Sequence, residues 1–220
     1  MGKNGHLKLL VTADFHSSRE AFEKTLQKAK EAQVDAIIIC GDITHFGSTQ
    51  QATELLAKLV TLHLPILYVS GNTDPPELAR IKIENANNLH AKCESVDNYS
   101  FIGVGAPHPT FEVPEEKIMQ WLKNGVNECS QIQHLIIVAH VPPINTNVDI
   151  AHVGGHVGSL SLRRFISEIK PVAVFCGHIH EARGIDYIGE TMIVNPGAAR
   201  RGYCALVQLD EKVNVELSHF

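Results

Sequence analysis

Three stretches set the fold: LKLLVTADFH at residues 7–16, DAIIICGD at 35–42 and PILYVSGNTD at 65–74. Each is a short apolar run that stops abruptly at polar residues and turn formers. Continuous branched aliphatic runs of this length suit strands covered on both faces, as in a parallel sheet. Helical patterns separate them. Ser17 stands three positions before Glu20, a capping box that predicts a helix start. Ser48 and Gln51 repeat the pattern ahead of a helix predicted to end near Leu62. The β-α-β-α-β order predicts a parallel sheet with its ligands at the carboxyl ends of the strands.

Working outward, a short helix is expected after Pro75-Pro76, and YSFIGVG (99–105) reads as a strand. Residues 114–129 carry a helical pattern with Ile118, Trp121, Leu122 and Val126 on one side. HLIIVA (134–139) is a further strand, and 141–158 reads as a long loop of the functional kind. A helix over about 159–168 leads into PVAVFC (171–176). The tail alternates residue by residue and predicts antiparallel hairpins. No repeat, low-complexity tract or linker divides the chain, so residues 1–220 read as one domain.

The 220 residues are 44% hydrophobic and 20% charged, ordinary globular usage that excludes a disordered or fibrous chain. A net charge of −5 argues against a protein that coats nucleic acid, which needs a basic face. It leaves a nucleotide substrate open, because bound metal supplies positive charge. The five cysteines are scattered without a C-x-x-C pair. A disulfide framework or cysteine zinc site is therefore not expected, and a reducing, cytoplasmic compartment is. No apolar run is long enough for a membrane helix. The compositional outlier is 13 histidines.

Five predicted strands end in polar residues of one chemical kind. They deliver Asp14-Phe15-His16, Gly41-Asp42, Gly71-Asn72-Thr73-Asp74, His140 ahead of Pro142, and Gly177-His178-Ile179-His180. Carboxylate, carboxamide and imidazole without thiolate suit manganese, iron, zinc or nickel rather than a structural zinc. In an extended backbone, Asp14 and His16 share one side, and so do His178 and His180. Gly41, Gly71 and Gly177 let the chain turn tightly beside them. Seven ligands are too many for one tetrahedral site and enough for two metals with a bridging carboxylate. A lone Asp or His in a loop is ordinarily a solvated side chain; the case rests on the ordered set.

That set (D-x-H, G-D, G-N-x-D, H-x-P, G-H-x-H), running from Asp14 to His180, resembles the calcineurin-like metallophosphoesterase superfamily. Asn195-Pro196-Gly197 looks like a feature of its small prokaryotic phosphodiesterases. The resemblance implies an α/β fold, a four-layer α-β-β-α sandwich of two mixed β-sheets flanked by helices. It implies two divalent transition-metal ions, manganese first, with nickel, iron and zinc as alternatives. Carried over by position, Asp14, His16 and His180 bind the first metal. Asn72, His140 and His178 bind the second, and Asp42 bridges them. Asn72 also offers an amide N–H to the substrate phosphate. The implied activity is hydrolysis of a small phosphoester, with diesters favoured over monoesters and nucleotide-type diesters included.

One position departs from the family pattern. Most members carry histidine where this chain has Thr73. Threonine does not titrate near neutral pH and is no efficient general acid. The expected consequence is a bias toward acidic leaving groups. His156, in Gly154-Gly155-His156-Val157-Gly158, is the candidate replacement acid, and Asp74 is the second catalytic candidate. His45 and His108 are weaker candidates. Arg200-Arg201, after the N-P-G turn, could face a phosphate, but a solvated surface pair is the preferred reading. A non-catalytic metal-binding interaction scaffold of the same fold is the rival reading. Thr73 favours it, and the complete ligand set opposes it. A nuclease is disfavoured by the acidic charge. The expected partner is a small phosphoester, with no membrane and no strong nucleic-acid binding; a homo-oligomer is compatible with the sequence.

Overall fold

A computed structural model describes residues 6–106 and 113–220. In chain order the strands and helices are β1 (Leu7–Thr12), α1 (Arg19–Ala32), β2 (Ala36–Cys40), α2 (Thr49–Val60) and β3 (Ile66–Val69). A 3₁₀ turn over Pro76–Arg80 follows, then β4 (Ala86–Asn88), β5 (Cys93–Val96), β6 (Tyr99–Val104), α3 (Glu115–Glu128) and β7 (Leu135–Ala139). The chain closes with α4 (Leu160–Ile169), β8 (Ala173–Phe175), β9 (Gly184–Ile188), β10 (Thr191–Asn195), a 3₁₀ turn over Ala199–Arg201, β11 (Tyr203–Leu209) and β12 (Val213–His219).

The strands form two six-stranded sheets, ordered β12-β11-β1-β2-β3-β4 and β5-β6-β7-β8-β10-β9. In the first, β1 to β4 run parallel, while β11 and β12 form an antiparallel hairpin on β1. In the second, β6, β7, β8 and β10 are parallel, and antiparallel β5 and β9 close the edges. Both sheets are mixed, as expected.

Alternation along each strand explains the layers. Leu9, Val11, Ile38 and Val69 meet Phe101, Val138 and Phe175 between the sheets. Leu10, Ile37, Ile39 and Tyr68 point the other way, onto Phe22 of α1 and Leu56 of α2. Ile102, Ile137 and Val174 pack against Ile118 and Leu122 of α3 and Phe165 of α4. Every central strand is thus covered on both faces, which is why its sequence is a continuous apolar run.

Three local expectations are corrected. The cap of α1 is Ser18, whose hydroxyl accepts from the Ala21 N–H, and not Ser17. Ser17 sits in left-handed backbone, and its hydroxyl accepts from the His45 N–H instead. Ser48 caps α2 as expected. Strands β4 and β5 were not expected, because ANN and CESV carry no apolar alternation. Cys93 at the start of β5 and Cys129 at the end of α3 form a disulfide, whereas Cys40, Cys176 and Cys204 are free and buried. The two partners lie 36 residues apart, and no local pattern announces the pair. Among the described residues, no helix is long and apolar enough to cross a membrane.

Candidate metal centre

The carboxyl ends of β1, β2, β3, β7 and β8 converge, and the loops that leave them are lashed together in order. Asp14 and His16 donate backbone N–H groups to the carbonyls of Gly41 and Asp42, at 3.0 and 2.9 Å. The Thr73 N–H reaches Asp42 Oδ1 at 2.9 Å. His140 donates to Val104 O and Gly177 to His140 O, at 3.1 and 3.0 Å. Finally, the Asp14 carboxylate accepts the His178 N–H at 3.1–3.2 Å.

This lashing overrules the expected extended geometry. Asp14, His16, Asp42 and His178 have φ of 57°, 45°, 53° and 69°, all left-handed. Such backbone is costly for residues with side chains and tends to cluster at functional sites. The paired ligands converge through tight turns, not through strand alternation. Glycine is required beside them: a Cβ on Gly71 would collide with the Asp42 carboxylate, and one on Gly41 (φ +91°) would lie 2.5 Å from His140 Nδ1.

The side chains form two candidate metal-binding triads, Asp14–His16–His180 and Asp42–His140–His178. In the first, the Nε2 atoms of His16 and His180 stand 3.1 Å apart, and His180 Nε2 is 3.6 Å from Asp14 Oδ1. In the second, His140 Nε2 faces Asn72 Oδ1 at 2.9 Å and His178 Nδ1 at 3.2 Å. Asp42 reaches both. Its Oδ1 is 3.6 Å from His140 Nε2, and its Oδ2 is 3.5 Å from His16 Nε2. All seven residues named from the sequence are therefore brought together.

The donor set fits a divalent cation. The Cys40 carbonyl lies 2.8 Å from His140 Nδ1, so that nitrogen carries the proton and the Nε2 lone pair points inward. An imidazole anchored in this way is the usual arrangement behind a metal ligand. Around that lone pair stand the oxygens of Asn72 and Asp42 and the Nδ1 of His178. Such a convergence of acceptors calls for positive charge.

Buried surroundings tune these groups. Burial pushes the His16 and His178 imidazoles down to about 4, keeping them neutral as ligation requires; the carboxylates oppose this, and His140 adds to it for His178. Burial would lower His140 too, but Asp42 and Asp14 outweigh it and raise it. For Asp42, burial raises the pKa, and His140, the Thr73 N–H and His16 together bring it below the ordinary value.

The expected catalytic residues take distinct places. Asp74 is buried and accepts from the Gly71, Ile43 and Thr44 N–H groups and the Thr44 hydroxyl, at 2.7–3.1 Å. These bonds tie the β2 loop to the β3 loop. Burial, with the Asp42 charge, raises the Asp74 pKa to about 6. Thr73 is buried, and its hydroxyl donates to Thr44 O at 2.6 Å. His156 is exposed, and its Nδ1 lies 2.6 Å from the fully buried carboxylate of Asp149. Asp149 was missed by the sequence reading, since nothing in the spacing of VDIAHVGGH pairs it with His156. His45 stands beside the first triad, 3.3 Å from His16, Nδ1 to Nδ1. His108 lies outside the described residues. Asn195, in the N-P-G turn, is no ligand; its amide donates to Ile179 O at 2.9 Å and steadies the His178–His180 loop.

The chain matches the sequence model of the calcineurin-like phosphoesterases over residues 7–182. An uncharacterized protein of Methanocaldococcus jannaschii is 37% identical over 168 residues, 74% of this chain and 77% of its own length. The crystal structure of TT1561 from Thermus thermophilus superposes with a TM-score of 0.76 at 21% identity, covering 96% of this chain and 98% of the other. A dimetal phosphatase from Danio rerio superposes with a TM-score of 0.70 at 11% identity, covering 98% and 97%. At these identities the two structures speak for the fold. The family match spans all five ligand-bearing strand ends, and the chain belongs to the calcineurin-like phosphoesterase family.

Proposed function

We propose that the protein hydrolyses small phosphodiesters, nucleotide-type diesters included, with two divalent transition-metal ions. The observation that supports this most directly is Asp42, which turns one carboxylate oxygen toward each triad. In this reading Asp14, His16 and His180 hold the first metal, Asn72, His140 and His178 hold the second, and Asp42 bridges. When bound, the two ions make water acidic enough to supply hydroxide near neutral pH and offset charge on the phosphoryl group. Manganese is the first choice for the mixed N/O set, with nickel, iron and zinc as alternatives.

The protein's own groups do the rest. Asn72 gives Oδ1 to the second triad and leaves its amide N–H groups for a phosphate oxygen. His156 is the general acid: Asp149 holds Nδ1 and leaves Nε2 to deliver a proton to the departing oxygen. Thr73 fixes Asp42 through its backbone N–H and offers no titrating group. Catalysis without the usual histidine favours substrates whose leaving group needs little protonation. The proposed partner is a small phosphoester, with neither membrane nor strong nucleic-acid binding. The cytoplasm remains the proposed compartment, although the Cys93–Cys129 bond weighs against a strongly reducing one.

The test is turnover of a panel of nitrophenyl and alkyl phosphodiesters and phosphomonoesters, each with manganese, nickel, iron and zinc. The expected result is diester hydrolysis with at least one metal, abolished by chelation. Silence on every substrate with every metal would favour the interaction scaffold.

A further inference from the structure

Arg200 does not behave as a solvated surface residue. Its 3₁₀ turn is pinned to the loop after β1, with the Ala199 N–H on Ala13 O at 2.7 Å and the Arg200 N–H on Asp14 O at 3.4 Å. The exposed side chain then extends over the first triad, and Nη2 lies 3.3 Å from His180 Nδ1. The neighbouring Arg201 is also exposed, but its side chain makes no hydrogen bond or ion pair among the described residues.

Two features conflict with a merely structural contact. A guanidinium can only donate hydrogen bonds. His180 faces Asp14 and His16 through Nε2. When that lone pair serves a cation, the proton of the neutral ring sits on Nδ1. Donor then faces donor, and the contact loses its hydrogen bond. The second conflict is charge. A permanent cation beside a cation-binding triad opposes metal binding unless an anion joins them.

We propose that Arg200 is a phosphate clamp: with the first triad loaded, its guanidinium leaves His180 and takes the non-bridging oxygens of the substrate phosphoester. The planar fork matches paired phosphate oxygens, which a lysine ammonium cannot do. This rests on the phosphoesterase reading and deepens it by naming a substrate-binding residue outside the family's ligand motifs.

The clamp makes an unusual prediction of opposite signs. Arg200→Gln should weaken anion binding and at the same time leave manganese binding unchanged or tighter. A structural brace would lose both. The experiment measures inorganic phosphate binding to manganese-loaded protein by calorimetry and, separately, manganese affinity without phosphate. Native protein, Arg200→Gln, Arg200→Lys and Arg201→Gln are compared, with melting temperatures as the folding control. Loss of a charge-assisted pair should cost Arg200→Gln about tenfold or more in phosphate affinity. Arg200→Lys should fall between, and Arg201→Gln should match the native protein. Unchanged phosphate affinity in Arg200→Gln, or a parallel loss of manganese affinity, overturns the clamp alone. Absence of phosphate binding by native protein that turns over the diester panel overturns the clamp alone, whereas silence on that panel as well overturns the phosphoesterase reading.

Discussion

Asp42 is the residue on which the two triads depend together, because each of its oxygens faces a different one. Removing it leaves two close dications without the shared charge that offsets their repulsion. Asp42→Ala should therefore lower metal content in both sites, whereas His16→Ala should lower mainly one equivalent. Mass spectrometry of the metals checks this, and two full equivalents in Asp42→Ala would rule out bridging. Thr73 raises the second question at this scale. Its hydroxyl is committed to Thr44 O, so it offers the substrate no proton. Proton delivery then rests on His156 alone, so alkyl diesters should be slower than nitrophenyl diesters, and less so than with no acid at all. Because His156 already donates, Thr73→His should raise the alkyl rate by less than the ~10²–10⁴-fold typical of a general acid and change the nitrophenyl rate little. His156→Ala should slow the alkyl substrate selectively. Equal native rates for both diesters, with chemistry rate-limiting and His156→Ala harmless, would show that proton delivery does not limit this enzyme.

Among the elements, what was legible follows from how far each signal travels along the chain. Strands β1, β2, β3 and β7 were readable because burial on both faces writes itself as an unbroken apolar run. The polar clusters were readable because each such run stops at one. The turns carrying those clusters were not. The left-handed backbone of Asp14, His16 and His178 is enforced by bonds to Gly41, Asp42 and the Asp14 carboxylate, partners 26 to 164 residues away. Asp149 escaped for a related reason: only the fold of the 141–158 loop brings its carboxylate to His156. The Cys93–Cys129 bond is another long-range event, tying β5 to the end of α3. A cross-link of this span is worth typically about 2–4 kcal/mol, chiefly by restricting the unfolded chain. Cys129→Ser, or a reductant, should lower the denaturant midpoint by a corresponding amount. The unfolded, unreduced native protein should show only the three thiols of Cys40, Cys176 and Cys204. Five reactive thiols and a midpoint indifferent to reductant would show the cysteines unpaired.

For the whole molecule, the edges of the two sheets meet at His90. It follows β4, bridges to Gly103 of β6, and its Nδ1 accepts the Gly105 N–H at 3.1 Å. Its ring packs edge-on against Trp121 of α3, with centroids 4.3 Å apart. Accepting from Gly105 requires an unprotonated Nδ1, so the junction is built for the neutral ring. Burial, assisted by the Lys92 charge, lowers the His90 pKa to about 4. In the unfolded chain a histidine binds its proton near the ordinary 6.5. Between these values the unfolded state holds more protons than the folded one, so folding stability must rise with pH. The contribution is complete above pH 6.5 and drains away as pH falls toward 4. Its slope is at most ~1.4 kcal/mol per pH unit, less for the ring's partial exposure. His16 and His178 titrate in the same window, so the native slope alone cannot isolate the junction. The difference between native protein and His90→Gln can, because the metal-centre histidines are common to both. A glutamine carbonyl can still accept from Gly105 and has nothing to protonate. His90→Gln should therefore be somewhat less stable at pH 7, through lost packing on Trp121, and should lose stability more slowly toward pH 4. Chemical denaturation at several pH values in that range measures both slopes, and parallel slopes would show that proton uptake at His90 does not contribute to the acid sensitivity of the fold.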